Sequence, residues 1–291
     1  MIALPDERAA VDALRTALRD GLDPEEDWAR SRVPTKHGEL LLMPSEWGRY
    51  AGMKVVSIAP DNPARGLPRI QGTYLLLDAE TLSPLAVLDG AELTTLRTAA
   101  VSALAVDALA APSASRLVVF GTGPQARGHI AAIRAIRPIA EVTVIGRTPE
   151  RTLGFVSSVD ARAGVVADVG NADVVVCATT SREPLFDGAL LPPHATVVAV
   201  GSHEHEAREV DDTTVCGSTV VVEARSAALR EAGDITQPVA AGVFDPAGLV
   251  DLAGLVRGAV EIDRDRPRLF KSVGMAWEDL VIAASGWERR S

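Results

Sequence analysis

Apolar and polar positions change their spacing several times along the chain. Between Glu7 and Asp20, Val11, Leu14 and Leu18 recur at helical intervals among charged residues and Gly21 follows as a stop, so the spacing predicts an amphipathic helix. Short runs around Lys36-His37-Gly38 and through residues 52–58 and 72–78, parted by Pro- and Gly-rich segments, predict an antiparallel sheet. Residues 94–111 read as a helix, and a polar break follows at residues 112–115. Beyond it, apolar runs at 117–120, 142–145, 174–178, 196–200 and 219–223 alternate with helical stretches, as parallel strands covered on both faces do. The last segment, 273–287, sets Trp277, Leu280, Val281 and Ala284 on one helical face.

Strand and helix alternation makes the fold class α/β, with a domain boundary near residue 113. Composition supports this: 47% of residues are hydrophobic, only 4% aromatic, and 291 residues suit two domains. With 29 basic and 39 acidic residues the formal charge is −10, which disfavours nucleic acid or anionic lipid as a partner. Cys177 and Cys216 both lie in apolar, strand-like runs, so buried, reduced thiols and a cytoplasmic setting are expected. Neither a secretory leader nor an apolar run of about 18 residues is found.

The densest chemistry lies where residues 117–120 run into Gly121-Thr122-Gly123-Pro124-Gln125-Ala126 and a helical stretch to Ile136. In a strand, glycine turn and helix in succession, Gly121 permits the tight turn, Gly123 lets backbone approach a pyrophosphate, and the helix start attracts the anion. The next strand ends in Gly146-Arg147-Thr148, where an NAD-selective site would carry a carboxylate for the ribose 2′-hydroxyl. Arg147 and Thr148 suit a 2′-phosphate, so NADP(H) is expected in preference to NAD(H); stacking on adenine is the other use open to Arg147.

The sequence resembles the ornithine cyclodeaminase and mu-crystallin family over almost its full length. The resemblance is carried by Arg30-Ser-Arg-Val-Pro-Thr-Lys-His-Gly, Leu42-Met-Pro44, Gly52-Met-Lys54, Leu93-Thr-Thr-Leu-Arg97-Thr-Ala-Ala100, the glycine turn, Ala199-Val-Gly-Ser202, Arg208-Glu-Val-Asp211, Glu231-Ala-Gly-Asp234 and Phe270-Lys-Ser-Val-Gly-Met-Ala276. It implies a Rossmann-type doubly wound sheet at 114–269, inserted into a discontinuous α+β substrate and dimerisation domain of residues 1–113 plus 270–291, and a homodimer. It also implies that Arg30, Lys54 and Arg97 bind a substrate α-carboxylate; Arg32 competes with Arg30, which the motif alignment favours. By the same matching Thr98 meets the cofactor phosphates and Gln125 the cofactor near the glycine turn. Thr179 and Thr180 match the ribose or pyrophosphate region, and Val200 and Ser272 the nicotinamide end.

Two departures steer the reaction expected. Cyclodeaminases place an aspartate after the Gly-Ser pair, where this chain has His203, and a glutamate two positions before the Met-Pro pair, where it has Leu41. Both changes remove carboxylates that cyclisation of a charged amine would need. The expectation is an NADP(H)-dependent imine or ketimine reductase, or amino-acid dehydrogenase, acting on a small 2-imino or 2-amino carboxylate. Lys54 or His203 is the candidate proton donor. A cyclodeaminase that recycles NAD, and a cofactor-binding protein without turnover, are the alternatives. His203-Glu204-His205 lacks an evident third ligand, so no metal is expected.

Overall fold

The computed structural model describes residues 2–290 and divides into two compact units, Met1–Arg97 with Met275–Ser291, and Thr98–Gly274. The division falls inside a helix rather than near residue 113, and 270–274 lie with the second unit. The reason is local. The helix Gly90–Leu109 carries no polar break, and residues 268–271 form a strand of the second unit's sheet.

In the first unit, helix α1 (Glu7–Arg19) is capped by Asp6, whose carboxylate accepts from the Ala9 amide at 2.8 Å, and buries Ala10, Val11, Leu14 and Leu18. Strands β1 (Ser31–Thr35), β2 (Gly38–Trp47), β3 (Tyr50–Ile58), β4 (Ile70–Asp78) and β5 (Pro84–Asp89) form an antiparallel meander in that order. Alternation along the strands sends Leu41, Met43, Lys54, Val56, Tyr74, Leu76 and Leu88 to a buried face. The C-terminal helix, Ala276–Glu288, packs against β2, β3, β4 and α1. Helix α2 (Gly90–Leu109) starts four residues before the point that periodicity alone suggests, because the Asp89 carboxylate accepts from the Ala91 and Glu92 amides at 2.7 and 3.0 Å.

The second unit is a parallel sheet of eight strands. Its elements are β6 (Arg116–Phe120), α3 (Pro124–Ile136), β7 (Glu141–Ile145), α4 (Pro149–Val159), β8 (Arg162–Ala163), β9 (Val174–Cys177), β10 (Thr196–Ala199), α5 (Asp212–Gly217), β11 (Thr219–Val222), α6 (Arg225–Glu231), α7 (Gly233–Ala240), β12 (Val250–Asp251), α8 (Leu252–Val256) and β13 (Arg268–Lys271). The sheet order is β12-β11-β13-β10-β9-β6-β7-β8. Order reverses direction between β6 and β9, the topological switch point beyond whose carboxyl ends a doubly wound sheet receives ligands. The chain then returns to the first unit as α9, the Ala276–Glu288 helix.

The cysteine expectation is half corrected. Cys177 is buried at the end of β9, whereas Cys216 is exposed and sits on α5, a helix capped by Asp211. The apolar run beside Cys216 is strand β11, which begins three residues later, while the cysteine itself lies near the end of the preceding short helix. No helix among the described residues is long and apolar enough to cross a membrane.

Candidate active site

In the first unit the structure brings two of the three expected carboxylate-binding cations together. Lys54 lies in the inward row of β3, level with Tyr74 on β4 and Met43 on β2, and is 1% exposed. Its Nζ donates to Asp279 Oδ2 at 2.6 Å and to Thr94 Oγ1 at 3.2 Å, while the Thr94 hydroxyl donates to the Gly90 carbonyl. Arg97 follows Thr94 by three residues, so both present to the same face of α2. Its Nη1 donates to Glu278 Oε2 at 2.8 Å, and its Nε lies 3.5 Å from Asp279 Oδ1. Burial pulls the Lys54 pKa down to about 8; Asp279 opposes that fall and Arg97 adds to it.

Glu278 and Asp279 were not singled out from sequence. Both are 0% exposed and occupy the first turn of α9, where the positive helix end favours carboxylates. Only the structure reveals them: α9 is buried from Ala276 through Ala283, and an acid inside such a run needs a cation. The Tyr74 hydroxyl, also buried, has no hydrogen-bond partner among the described residues, and a Cβ on Gly52 would lie 2.1 Å from it. Arg30 is half-buried just before β1, whereas Arg32 is exposed and lies 3.6 Å from Glu39. A pocket of about 410 Å³ in this unit is lined by Asp23, Glu26, Asp27 and Glu46 together with Trp28, Trp47 and Trp277. It excludes Lys54 and Arg97, and its four carboxylates give it the wrong sign for an anionic substrate.

In the second unit, the glycine turn stands at the switch point. Gly121 has φ +115, and a Cβ there would lie 2.4 Å from the Ala178 carbonyl oxygen, so neither the backbone nor the space admits a larger residue. Gly123 caps α3 without a side-chain hydrogen bond, and a Cβ on it would meet nothing within 4 Å. A helix start with open space at its cap residue fits a pyrophosphate. Thr122 and Gln125 are half-buried there and Pro124 is exposed. Arg147 and Thr148 are exposed after β7; the Thr148 side chain leaves α4 uncapped.

Thr98 is buried on α2, and its carbonyl accepts from the Ser102 hydroxyl at 2.8 Å. Ser102 Oγ also lies 2.9 Å from His129 Nε2, and His129 Nδ1 lies 2.7 Å from the Gln125 carbonyl. A carbonyl only accepts, so Nδ1 carries the proton and Nε2 accepts, and the single Ser102 hydrogen is shared between Nε2 and the Thr98 carbonyl. Burial holds this ring neutral, its pKa down at about 4. The ring therefore links the helix bearing Thr98 to the helix start bearing Gln125. Thr179 and Thr180 follow β9, and Val200 and half-buried His203 follow β10. Ser272 is buried, and its hydroxyl donates to Glu223 Oε1 at 2.6 Å.

A parallel sheet with a glycine turn at its switch point, in one chain with an antiparallel sheet that buries paired cations, defines an NAD(P)-dependent oxidoreductase. This chain belongs to the ornithine cyclodeaminase/mu-crystallin family, whose model matches residues 9–290. Among its relatives, the Delta(1)-pyrroline-2-carboxylate reductase 2 of Burkholderia ambifaria is 39% identical over 86% of this chain and 80% of its own. The Delta(1)-pyrroline-2-carboxylate/Delta(1)-piperideine-2-carboxylate reductase of Azospirillum brasilense is 38% identical over the same shares. In three dimensions the chain is similar to the Thermococcus litoralis Delta(1)-pyrroline-2-carboxylate reductase in complex with NADH and L-proline, with a TM-score of 0.91, 29% identity and coverage of 98% and 94% of the two chains. An archaeal alanine dehydrogenase dimer with bound NAD has the same TM-score at 27% identity, covering 98% and 92%.

Proposed function

We propose that this chain reduces a small cyclic 2-imino carboxylate of the Delta(1)-pyrroline-2-carboxylate kind to the corresponding cyclic 2-amino acid. The observation that carries this reading is the buried pair Lys54 and Arg97, two cations held by Glu278 and Asp279 in a member of a family with such reductases. Arg97, with Arg30, engages the substrate carboxylate. Lys54 spends two of its three N–H bonds on Asp279 and Thr94, which leaves one for the substrate.

NAD(P)H, when bound, supplies the hydride that the imine carbon accepts. The proton for the imine nitrogen comes from Lys54, with His203 the other group on the chain suited to the task. Burial excludes water from the cation pair and keeps its field strong. Gly121, Thr122, Gly123, Pro124 and Gln125 cradle the pyrophosphate, helped by Thr98, Thr179 and Thr180; Val200 and the backbone at Ser272 border the nicotinamide. His203 stands where a cyclodeaminase carries its aspartate, which favours net reduction over cyclodeamination.

The deciding experiment follows reduced-nicotinamide absorbance with purified chain and Delta(1)-pyrroline-2-carboxylate. Steady oxidation supports reduction, and ammonia release from ornithine without net cofactor change overturns it. NADPH is the cofactor of this reading, because Arg147 and Thr148 replace the ribose-binding acid. Arg147→Asp is expected to shift the ratio of kcat/KM for NADPH over NADH toward NADH by about 10- to 100-fold, the worth of a charge-assisted hydrogen bond. An unchanged ratio would remove the NADP(H) assignment.

The protein also acts as a homodimer through the outer face of β1 to β5. That face carries exposed Val33, Val55 and Val87 and half-buried Leu40, Leu42, Met53 and Leu75, an apolar set spanning five strands. Val55→Glu, at its middle, is expected to convert a dimer into a monomer in sedimentation experiments; a wild-type monomer at micromolar concentration would refute the assignment.

A further inference from the structure

Three of the motifs carrying the family resemblance have no place in the site so far: Arg208-Glu-Val-Asp211, Glu231-Ala-Gly-Asp234 and the lysine before Ser272. The fold brings one ionisable side chain from each into contact. Glu209, Asp234 and Lys271 are each no more than 1% exposed. Glu209 Oε1 accepts from the Thr179 amide at 2.8 Å and the Thr179 hydroxyl at 2.7 Å, and its Oε2 accepts from the Gly201 amide at 2.7 Å. Asp234 Oδ1 accepts from the Glu209 and Val210 amides at 2.7 and 3.1 Å, and its Oδ2 lies 2.8 Å from Lys271 Nζ. Lys271 Nζ donates to the Ser202 carbonyl at 2.7 Å. The turn at Gly201 closes tightly over the cluster, for a Cβ there would lie 2.0 Å from the Thr179 carbonyl oxygen and 2.5 Å from Glu209 Oε1.

Burying two carboxylates and one ammonium is a poor source of stability, since desolvation consumes most of the Coulombic gain. The return is geometric. β13, β10 and β9 are neighbours in the sheet, and Lys271, Gly201 with Ser202, and Thr179 lie at their carboxyl ends. We propose that Glu209, Asp234 and Lys271 are positioning residues that lock these three strand ends into the shape that receives the nicotinamide half of the cofactor. The proposal rests on the cofactor reading above. The three act through the Thr179 and Gly201–Ser202 backbone, to which Glu209 and Lys271 are hydrogen-bonded.

The test uses the full-length chain with Glu209→Gln, which keeps the shape but turns an N–H toward a donor that needs an acceptor. Folding is checked by circular dichroism and thermal unfolding. Affinity for 2′,5′-ADP, a probe of the adenosine half, is expected to stay within about threefold of wild type, while kcat falls about 100-fold and the fluorescence enhancement of bound NADPH is lost, the scale of effect that a displacement of about 1 Å produces. Asp234→Asn, which keeps the shape but removes the charge that faces Lys271, is expected to act in the same direction by about tenfold and decides the matter if Glu209→Gln fails to fold. Folded variants with wild-type kcat and NADPH fluorescence overturn the proposal, as do equal losses of 2′,5′-ADP and NADPH affinity. A wild-type chain that binds 2′,5′-ADP but neither reduced cofactor overturns the cofactor reading itself.

Discussion

Lys54→Met is expected to lower kcat by roughly 10²- to 10⁴-fold, the range associated with loss of a positioned general acid. Methionine fills nearly the same volume but carries neither proton nor charge; Asp279 loses its 2.6 Å partner and keeps Arg97 at 3.5 Å, so a less stable variant is expected, whose folding is checked by circular dichroism before rates are compared. The pH dependence separates this role from simple packing. Lys54 is protonated below its pKa of about 8, so wild-type kcat should fall as pH rises through that value. Stability moves the other way. Because the unfolded chain holds this proton over a pH range where the native chain has released it, the contribution of Lys54 to stability rises above about pH 8, so titration of Lys54 lowers the rate without itself weakening the fold. Initial rates of imine reduction at saturating cofactor, from neutral to alkaline pH, provide the measurement. A flat profile through the expected inflection would transfer the proton to His203.

The parts of this molecule that could be read from its sequence are those in which one physical rule acted alone. The continuous apolar runs of β6, β7, β9, β10 and β11 identify a parallel sheet because nothing but burial on two faces produces them. Strand β13 escaped that rule. Its four residues are Arg-Leu-Phe-Lys, and the two charges at its ends conceal a strand that lies between β10 and β11. Arg268 is buried because its guanidinium donates to the carbonyls of Pro193 and His194, and Lys271 because Asp234 lies 2.8 Å away, contacts made across more than thirty residues of chain.

The candidate site divides in the same way. The glycine turn, Arg147, Lys54 and Arg97 are recognisable from local motifs, because backbone geometry and family resemblance both act on short segments. Glu278 and Asp279 are not, since an acidic pair in a first helical turn reads equally well as a solvated cap. Only the packing of α9 on β3 shows that these carboxylates face two cations out of water. Cys216 illustrates the converse: the apolar run of β11 beside it suggested burial, and its place near the end of the short helix before that strand left the thiol outside.

Arg97→Met is expected to destabilise the fold by about 3–5 kcal/mol, because it withdraws the cation from a carboxylate that stays out of water. Glu278 loses its 2.8 Å hydrogen bond while remaining 0% exposed, and Asp279 is left with Lys54 as its one cation. Adding Glu278→Gln to Arg97→Met should restore a good part of the loss, since a neutral amide costs far less to bury than a carboxylate. Urea unfolding of the wild type, both single variants and the double variant closes a thermodynamic cycle, and a coupling free energy below about 0.5 kcal/mol would show that the pair does not act as a unit. The same cycle bears on function. If Arg97 holds the substrate carboxylate, the double variant recovers stability but not kcat/KM, for the restored packing supplies no cation. Recovery of both together would make Arg97 a structural residue and leave carboxylate binding to Lys54 and Arg30.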